Sequence, residues 1–408
     1  MRRTKIALLL FASGACSLVY ETVWLRELRL VFGASTMASA AVVACFVGGL
    51  GAGGLVFGRR ADAHPRPLAL YAAFEGGIAT TAAVTPALLV LVRAAYVALG
   101  GTRVLGLLGG TVLRLVFSAL VFAVPTVLMG GTLPAVARAV EDEGDRGRRS
   151  VAVLYGVNTL GAVAGCLAST FVLFEVFGTR VTLWIACLVN ALVAVTARSL
   201  SRAMPMPHAP SLLAGGDARG KIECPTWLAL AAAAVSGFVF CLLELVWYRM
   251  LAPILGGTVF TFGVVLALAL LGIGLGGLAY GMRRRDQAAN LLGFAWVCLL
   301  EAVVVAIPYA LGDRLAVLAA LLGPIGGWSF GLRVASWALV TGIVVLPAAF
   351  ASGVQLPLLI GLLGHGRERV GRDVGLAYAT NTLGAILGSL SGGLSLIHIS
   401  EPTRQAEI

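Results

Sequence analysis

The chain has 408 residues, of which 59% are apolar and 12% charged, and its mean hydropathy is +0.95. Soluble domains carry about 25% charged residues, so this composition excludes an ordinary soluble domain and indicates a surface that mostly faces lipid. The net charge of +11 comes from short basic clusters between apolar runs, with no aromatic-basic stripe, which argues against nucleic acid as a partner.

Apolar runs of about 20 residues recur along the chain, and a helix of that length crosses a lipid bilayer. They predict eleven spans, at residues 6–26, 35–57, 67–92, 111–133, 150–174, 180–198, 226–247, 258–281, 288–310, 331–352 and 373–393. Two shorter glycine-rich pieces, 94–109 and 313–325, are expected to lie at the membrane interface. The first run follows Arg2, Arg3 and Lys5 as in a signal peptide, but no small-residue cleavage site follows it, so we interpret it as a span.

Basic residues are unequally divided between the two sides of these spans. Twenty lie in the segments on the side of the N-terminus and nine on the other side. The positive-inside rule therefore predicts a multi-pass protein of the bacterial inner membrane with a cytoplasmic N-terminus.

One unit is used twice. SGACSLVYETVWLRELRLVFGAS from Ser13 matches SGFVFCLLELVWYRMLAPILGGT from Ser236, an offset of 223 residues. The same offset carries a glycine ladder around Gly53 onto one around Gly276, and a Tyr-x-x-Asn-Thr-Leu-Gly motif onto its copy. Six spans separate counterparts, an even number, so the repeats are parallel. This predicts an all-α integral membrane fold on the major-facilitator-like 6+6 plan, with the second repeat shortened to about five helices.

The repeat also predicts domain bounds. We expect a first six-helix membrane repeat at 1–200, a cytoplasmic linker at 201–225, a second repeat at 226–393 and a non-native tail at 394–408.

Two pairs of intramembrane acids are candidate functional residues, because an ionisable group within a span is costly. The first pair is Glu21 and Glu244, in the outer part of spans one and seven. Each is followed by a tryptophan and an arginine, so the alternative is that these segments are interface anchors. The anchor residues in that interpretation are Trp24, Arg26, Trp247 and Arg249.

The second pair is Glu75 and Glu301, which lie deeper, in spans three and nine. One interpretation is that they line a central cavity between the two halves and bind a solute or relay a proton. The other is that each carboxyl group is hydrogen-bonded between helices and holds them together.

Other recurring residues leave the function open. The glycine ladders indicate close helix packing in lipid rather than a phosphate-binding loop. Asn158 and Asn381, with the neighbouring Tyr155 and Tyr378, are expected to hydrogen-bond between the halves or to contact a solute. The seven cysteines form no metal-ligating set, and the spans contain no nucleophile with a base, so the sequence predicts no catalytic residue, metal or cofactor.

The motifs SG…YE..W.RELRLVFG…S, GRRAD, LYAAFEGG, GGTLP and LYGVNTLGAVAG, in this order, resemble the membrane part of bacterial fused spermidine-synthase-like proteins. The resemblance covers residues 1 to about 393. It implies a major-facilitator-like helical domain that precedes a soluble domain resembling an aminopropyltransferase. In that family the soluble domain binds decarboxylated S-adenosylmethionine and a polyamine.

The end of the chain, LSLIHISEPTR from Leu394, resembles a translated sequencing adapter, so we expect that soluble partner domain to be missing. The chain is therefore predicted to be a membrane module that anchors or serves a cytoplasmic aminopropyltransferase-like domain. The alternative is a major-facilitator-like secondary transporter of a cationic or amphipathic solute such as a polyamine.

Overall fold

The computed structural model describes residues 2–32, 36–142, 144–145, 147–203, 224–283, 287–364 and 369–400. These residues form helices, and no strand occurs among them. The first half comprises Arg2–Phe32 (α1), Thr36–Ala63 (α2), Pro67–Ala98 (α3), Gly101–Val140 (α4), Arg149–Ala168 (α5) and Phe174–Arg202 (α6). The second half comprises Thr226–Leu255 (α7), Val259–Gly281 (α8), Leu291–Leu311 (α9), Arg314–Gly326 (α10), Phe330–Leu363 (α11) and Val370–Ser400 (α12).

Within the described residues, nine helical stretches are long and apolar enough to cross a membrane. One of them, Arg149–Arg202, has 54 residues and contains two spans. It is broken at Gly178, whose φ of 69° and ψ of 177° are not helical. Thr182 Oγ1 donates to the carbonyl of Leu173, 3.0 Å away, across a separation of nine residues. A straight helix would place these residues about 13 Å apart, so the chain reverses here.

With α12 included, helices lie at all eleven predicted spans. Of the two shorter apolar pieces, only the second is a separate helix. The first covers the end of α3 and the start of α4, which is interrupted at Gly106 (φ 68°, ψ −175°). The second is α10.

The pairing of helices repeats from one half to the other. In the first half α1 packs on α5, α2 on α4, and α3 on both α4 and α6. In the second half α7 packs on α12, α8 on α11, and α9 on α11. Between the halves α2 packs on α12 and α5 on α8, which are equivalent contacts. The molecule is thus an all-helical bundle of two parallel repeats, as the offset predicts.

Glycines carry this packing at matching positions. A Cβ on Gly14 would collide with the carbonyl of Asn158, and one on Gly237 would collide with that of Asn381. The offset of 223 relates both members of each contact. In lipid, where lipid tails are as apolar as side chains, small residues let helices associate by close van der Waals contact. The glycine ladders are therefore packing elements, as expected from the sequence.

The two halves also meet through glycines. Gly58 of α2 lies against Gly371 of α12, and Gly54 lies against Gly375 one turn further along. On the other side of the bundle Gly156 of α5 lies against Gly274 of α8. Backbone thus contacts backbone across the interface.

The predicted linker and tail are only partly covered by the structure. Residues 204–223 of the linker lie outside the described residues, as do residues 401–408 of the tail. The helix α12 continues to Ser400. The predicted domain bounds and the non-native character of the tail stay predictions.

Candidate functional site

Two half-buried carboxyl groups lie on equivalent helices of the two halves. Glu21 on α1 and Glu244 on α7 are symmetry counterparts, both are half-buried, and they are close enough to interact electrostatically. Among the described residues, neither carboxyl group has a hydrogen-bonding or ion-pairing partner. Burial disfavours the ionised form of a carboxyl group, and a second negative charge within reach adds to that cost. The cost falls when a proton or a cation neutralises one of the two charges.

Two cysteines and a tyrosine lie within electrostatic reach of these carboxyl groups. Cys166 on α5 and Cys241 on α7 each lie within electrostatic reach of both carboxyl groups. Tyr378 on α12 is within reach of Glu21, and Tyr155 on α5 is within reach of Tyr378. The described part of the chain contains no group of three or more His, Cys, Asp or Glu side chains that could hold a metal ion. The site thus offers acidic and hydroxyl oxygens to a cation.

Asn158 and Asn381 lie where helices of the same half meet. The Oδ1 atoms of both are about 3.0 Å from the point that a Cβ on Gly14 or Gly237 would occupy. Both side chains are half-buried. Their position at the α1–α5 and α7–α12 contacts leaves both sequence interpretations, helix contact and solute contact, as predictions.

Glu75 lies inside the first half and not between the halves. It is fully buried on α3, where Oε1 accepts from Ser13 Oγ of α1 at 2.5 Å and Oε2 accepts from Asn190 Nδ2 of α6 at 2.6 Å. The expectation that it faces a central cavity is wrong, because all its partners belong to its own half. The expectation of a polar partner is confirmed.

Glu301 has the same role in the second half with different partners. It is 9% exposed on α9 and accepts from Ser352 Oγ and, at 2.5 Å, from Gln355 Nε2, both on α11. Gln355 Oε1 in turn accepts from Ser236 of α7. The shared cavity expected for Glu301 and Glu75 is therefore absent from the described structure. The sequence contained a signal for this, since the offset maps Glu75 onto Cys298 and not onto Glu301.

Trp24 and Trp247 are core residues, and the expectation that they anchor the helices at the lipid interface is wrong. Trp24 is 1% exposed, donates from Nε1 to Thr85 Oγ1 at 3.0 Å and stacks on Phe122 with ring centroids 5.3 Å apart. Trp247 is 3% exposed. Each indole packs against neighbouring helices, which bury more apolar area than a lipid interface could.

The two arginines of the same motif are more exposed than the tryptophans. Arg26 is exposed, and its guanidinium lies 5.2 Å from the ring centroid of Phe174. Arg249 is half-buried on α7. An anchoring role stays a prediction for these two arginines.

Polar contacts join the halves at the face of the bundle where α1 begins, which we call the N-terminal face. Arg148 is 1% exposed before α5 and forms an ion pair with Asp373 of α12 at 2.7 Å. Asp62, at the end of α2, accepts from the backbone N–H groups of Gly371 and Arg372, both at 2.8 Å. A carboxylate at a helix N-terminus satisfies free N–H groups and complements the helix dipole. Sequence reasoning missed this site, although Asp62 ends the GRRAD motif.

The segment between α4 and α5 adds two more contacts at this face. Tyr280 of α8 donates to the carbonyl of Gly147 at 3.1 Å, and Arg149 donates to the carbonyl of Gln287. At the opposite face, the contacts between halves within the described chain are mainly aromatic, with Phe171 against Phe260 and Phe330. At the N-terminal face the described residues of the two halves are thus joined by an ion pair and hydrogen bonds.

Comparison with solved structures identifies the fold. No protein-family model matches the sequence, and no curated protein is significantly similar to it. The chain is similar to a bacterial homologue of the iron transporter ferroportin in an outward-facing state, with a TM-score of 0.59 and 14% identity over 97% of this chain and 92% of that one.

It is also similar to the proton:xylose symporter XylE (TM-score 0.56, 11% identity, 98% of this chain and 89% of that one). A third similar structure is the human organic anion transporter MFSD10 (TETRAN), with a TM-score of 0.50 and 14% identity over 96% of this chain and 93% of that one. The described helices therefore have a fold like that of major-facilitator transporters.

Proposed function

We propose that this chain is a secondary transporter that carries a cation through a site between its two halves. The observation that supports the proposal is the pair of half-buried carboxyl groups of Glu21 and Glu244, which lie on symmetry-related helices within electrostatic reach of each other and have no hydrogen-bonding partner among the described residues. Major-facilitator-like folds transport by rocking one half against the other around a central site. A site at this position is exposed to each side in turn.

The chemistry of the pair favours a positively charged substrate. Two carboxylates in a poorly solvated interior cannot both stay ionised unless a cation binds or a proton neutralises one of them. A cation and protons therefore compete for the same two groups, which couples their movement. The structural relatives carry solutes as different as iron, a sugar and organic anions. The substrate class is thus inferred from the carboxyl groups and not from the fold.

We orient the N-terminal face toward the cytoplasm, as the distribution of basic residues predicts. The ion pair of Arg148 with Asp373 and the cap that Asp62 provides to α12 then form a cytoplasmic gate. The conformation described here is closed at that gate. Release of the cation into the cytoplasm requires these contacts to break.

Uptake into proteoliposomes tests the proposal. The purified chain is reconstituted and exposed to radiolabelled spermidine, and to tetraethylammonium as a monovalent cation, with and without a pH gradient. We expect uptake of at least one cation, and a loss of about tenfold or more in E21Q and in E244Q, because each removes a charged partner. The matched control is E175Q, since Glu175 is an exposed acid outside the site.

The outcomes separate the proposal from its rival. Uptake that is unchanged in both E21Q and E244Q overturns the role of the pair. If the parent chain takes up neither cation, the proposal that it transports cations is overturned. The second outcome would favour the hypothesis that the chain is the membrane module of a spermidine-synthase-like protein, which rests on sequence resemblance alone. That hypothesis predicts aminopropyl transfer only when a catalytic domain is joined to the chain.

A further inference from the structure

A cavity lies within the first half, at the face opposite the N-terminal face. It measures about 340 Å³ and is enclosed by α1, α3 and the start of α6. All its walls belong to one half, so it is separate from the site between Glu21 and Glu244. Nothing in the proposed transport cycle uses it.

Two arginines line this cavity. Arg93 near the end of α3 and Arg180 just after the reversal at Gly178 are both exposed. Within the described part of the chain, neither arginine has an ion-pairing partner. Glu27 also lines the cavity, and its Oε1 accepts a hydrogen bond from Thr179. The three charged side chains sum to +1, so the cavity attracts an anion.

The remaining walls are apolar and continue onto the outer surface of the bundle. Leu30 is 76% exposed and Val90 is 56% exposed, while Leu89 forms the inner wall. Large exposed aliphatic side chains on a membrane helix face lipid tails. The cavity thus has basic groups at the end of the bundle and an apolar wall beside them, which is the polarity of a lipid molecule.

We propose that this cavity binds the headgroup of an anionic phospholipid from the leaflet at the opposite face. The phosphate lies between the guanidinium groups of Arg93 and Arg180, which donate paired hydrogen bonds to phosphate oxygens. The acyl chains lie along Leu30 and Val90. Basic pockets between membrane helices recognise lipid headgroups by this combination of charge and apolar contact.

Native mass spectrometry tests this site on the whole chain. The protein is purified in nanodiscs that contain phosphatidylcholine with about a fifth phosphatidylglycerol, and co-purified lipid is measured after transfer to detergent. We expect bound phosphatidylglycerol to be enriched over its share of the bilayer. Each of R93Q and R180Q is expected to lower that enrichment about fivefold at low salt, since a basic group near an anionic headgroup contributes roughly that factor.

The matched control is R314Q, which removes an exposed arginine at the start of α10 in the second half. We expect this variant to keep the enrichment of the parent protein. Equal loss in R314Q, or no loss in R93Q and R180Q together, overturns the site. Competition by soluble glycerol 1-phosphate at millimolar concentration would identify a free anion as the occupant and would overturn the lipid. Unchanged thermal unfolding of the single variants shows that the loss is not caused by misfolding.

Discussion

At the scale of single residues, the buried acids divide into two kinds by what surrounds them. Glu75 has both carboxyl oxygens satisfied by neutral donors from two other helices. Glu21 has no such donors within the described residues, and another carboxyl group, that of Glu244, lies within electrostatic reach. A fully hydrogen-bonded group stabilises the helices that supply its partners, whereas an unsatisfied one is available to a ligand.

The first prediction at this scale concerns stability. Removing the carboxyl group in E75A leaves Ser13 and Asn190 buried without an acceptor, which costs about 1–3 kcal/mol for each orphaned group. We expect E75A to lower the thermal unfolding temperature in detergent markedly, and E75Q to lower it less, because the amide keeps one acceptor. The exposed acid in E175A serves as the control. Unfolding temperatures of E75A and E175A that do not differ would contradict the role of Glu75 in packing.

Sequence reasoning could identify these residues but not their surroundings. In a membrane helix both lipid-facing and protein-facing sides are apolar, so hydrophobic periodicity does not show which side is buried. The sequence therefore allows a place at the lipid interface for Trp24, although it is almost fully buried. The place of Glu75 in span three predicts an ionisable group within the membrane, but it does not predict the direction of the side chain.

At the scale of structural elements, the short segment between α4 and α5 is unusually rich in buried charge. Glu141 is 5% exposed and Asp145 is 2% exposed. Burial, together with the carboxylate of Asp145, raises the pKa of Glu141 to about 8. Arg148 and Arg3 oppose this shift, and Asp142 adds to it. The segment therefore carries a group that titrates near neutral pH beside the ion pair between Arg148 and Asp373.

This predicts a pH dependence of stability with a defined sign. Because the pKa of Glu141 is higher in the folded chain than in the unfolded one, the folded state binds the proton more tightly. The contribution of Glu141 to the free energy of unfolding is complete below about pH 4.5, declines as the pH rises and is lost above about pH 8. The loss is on the order of a few kcal/mol, since one pKa unit corresponds to about 1.4 kcal/mol. Thermal unfolding of the parent chain and of E141Q between pH 5 and 9 measures it.

We expect the unfolding temperature of E141Q to fall less steeply over this range than that of the parent chain. E175Q is the control, because Glu175 is an exposed acid on α6 and is not among the groups that shift the pKa of Glu141. Parallel pH profiles for the parent chain and E141Q would show that another group dominates.

At the scale of the whole molecule, the internal repeat made the architecture predictable. One offset relates the two members of contacts such as those of Gly14 and Gly237 with the facing helices. A repeat fixes which helices are equivalent, and equivalent helices pack alike. It gives no information on contacts that lack a counterpart, such as the ion pair of Arg148 with Asp373.

The gate yields the last prediction. Breaking one member of a buried ion pair leaves an uncompensated charge and is strongly destabilising for the state that contains it, whereas exposed pairs contribute about 1 kcal/mol or less. R148Q and D373N should therefore open the N-terminal face, seen as faster amide hydrogen exchange in residues 141–150 and 370–376. R3Q is the matched control, since the pair of Arg3 with Asp142 at 3.5 Å is exposed. Equal exchange in R148Q and R3Q would argue against a gate.

The glycine contacts between the halves have a mechanical consequence. Where Gly58 meets Gly371 and Gly156 meets Gly274, backbone atoms of the two helices come into contact, and the side chains of Leu160 and Leu278 pack beside the second contact. Interdigitated side chains resist sliding, because each side chain must pass its neighbour before the two helix surfaces pack again. At the glycine positions no Cβ stands between the helices, so the two backbones can shift against each other with little loss of contact area. Motion of one half against the other then has to overcome mainly the side chains packed beside the glycines and the ion pair of Arg148 with Asp373, so loss of that pair removes one of the few contacts that fix the angle between the halves.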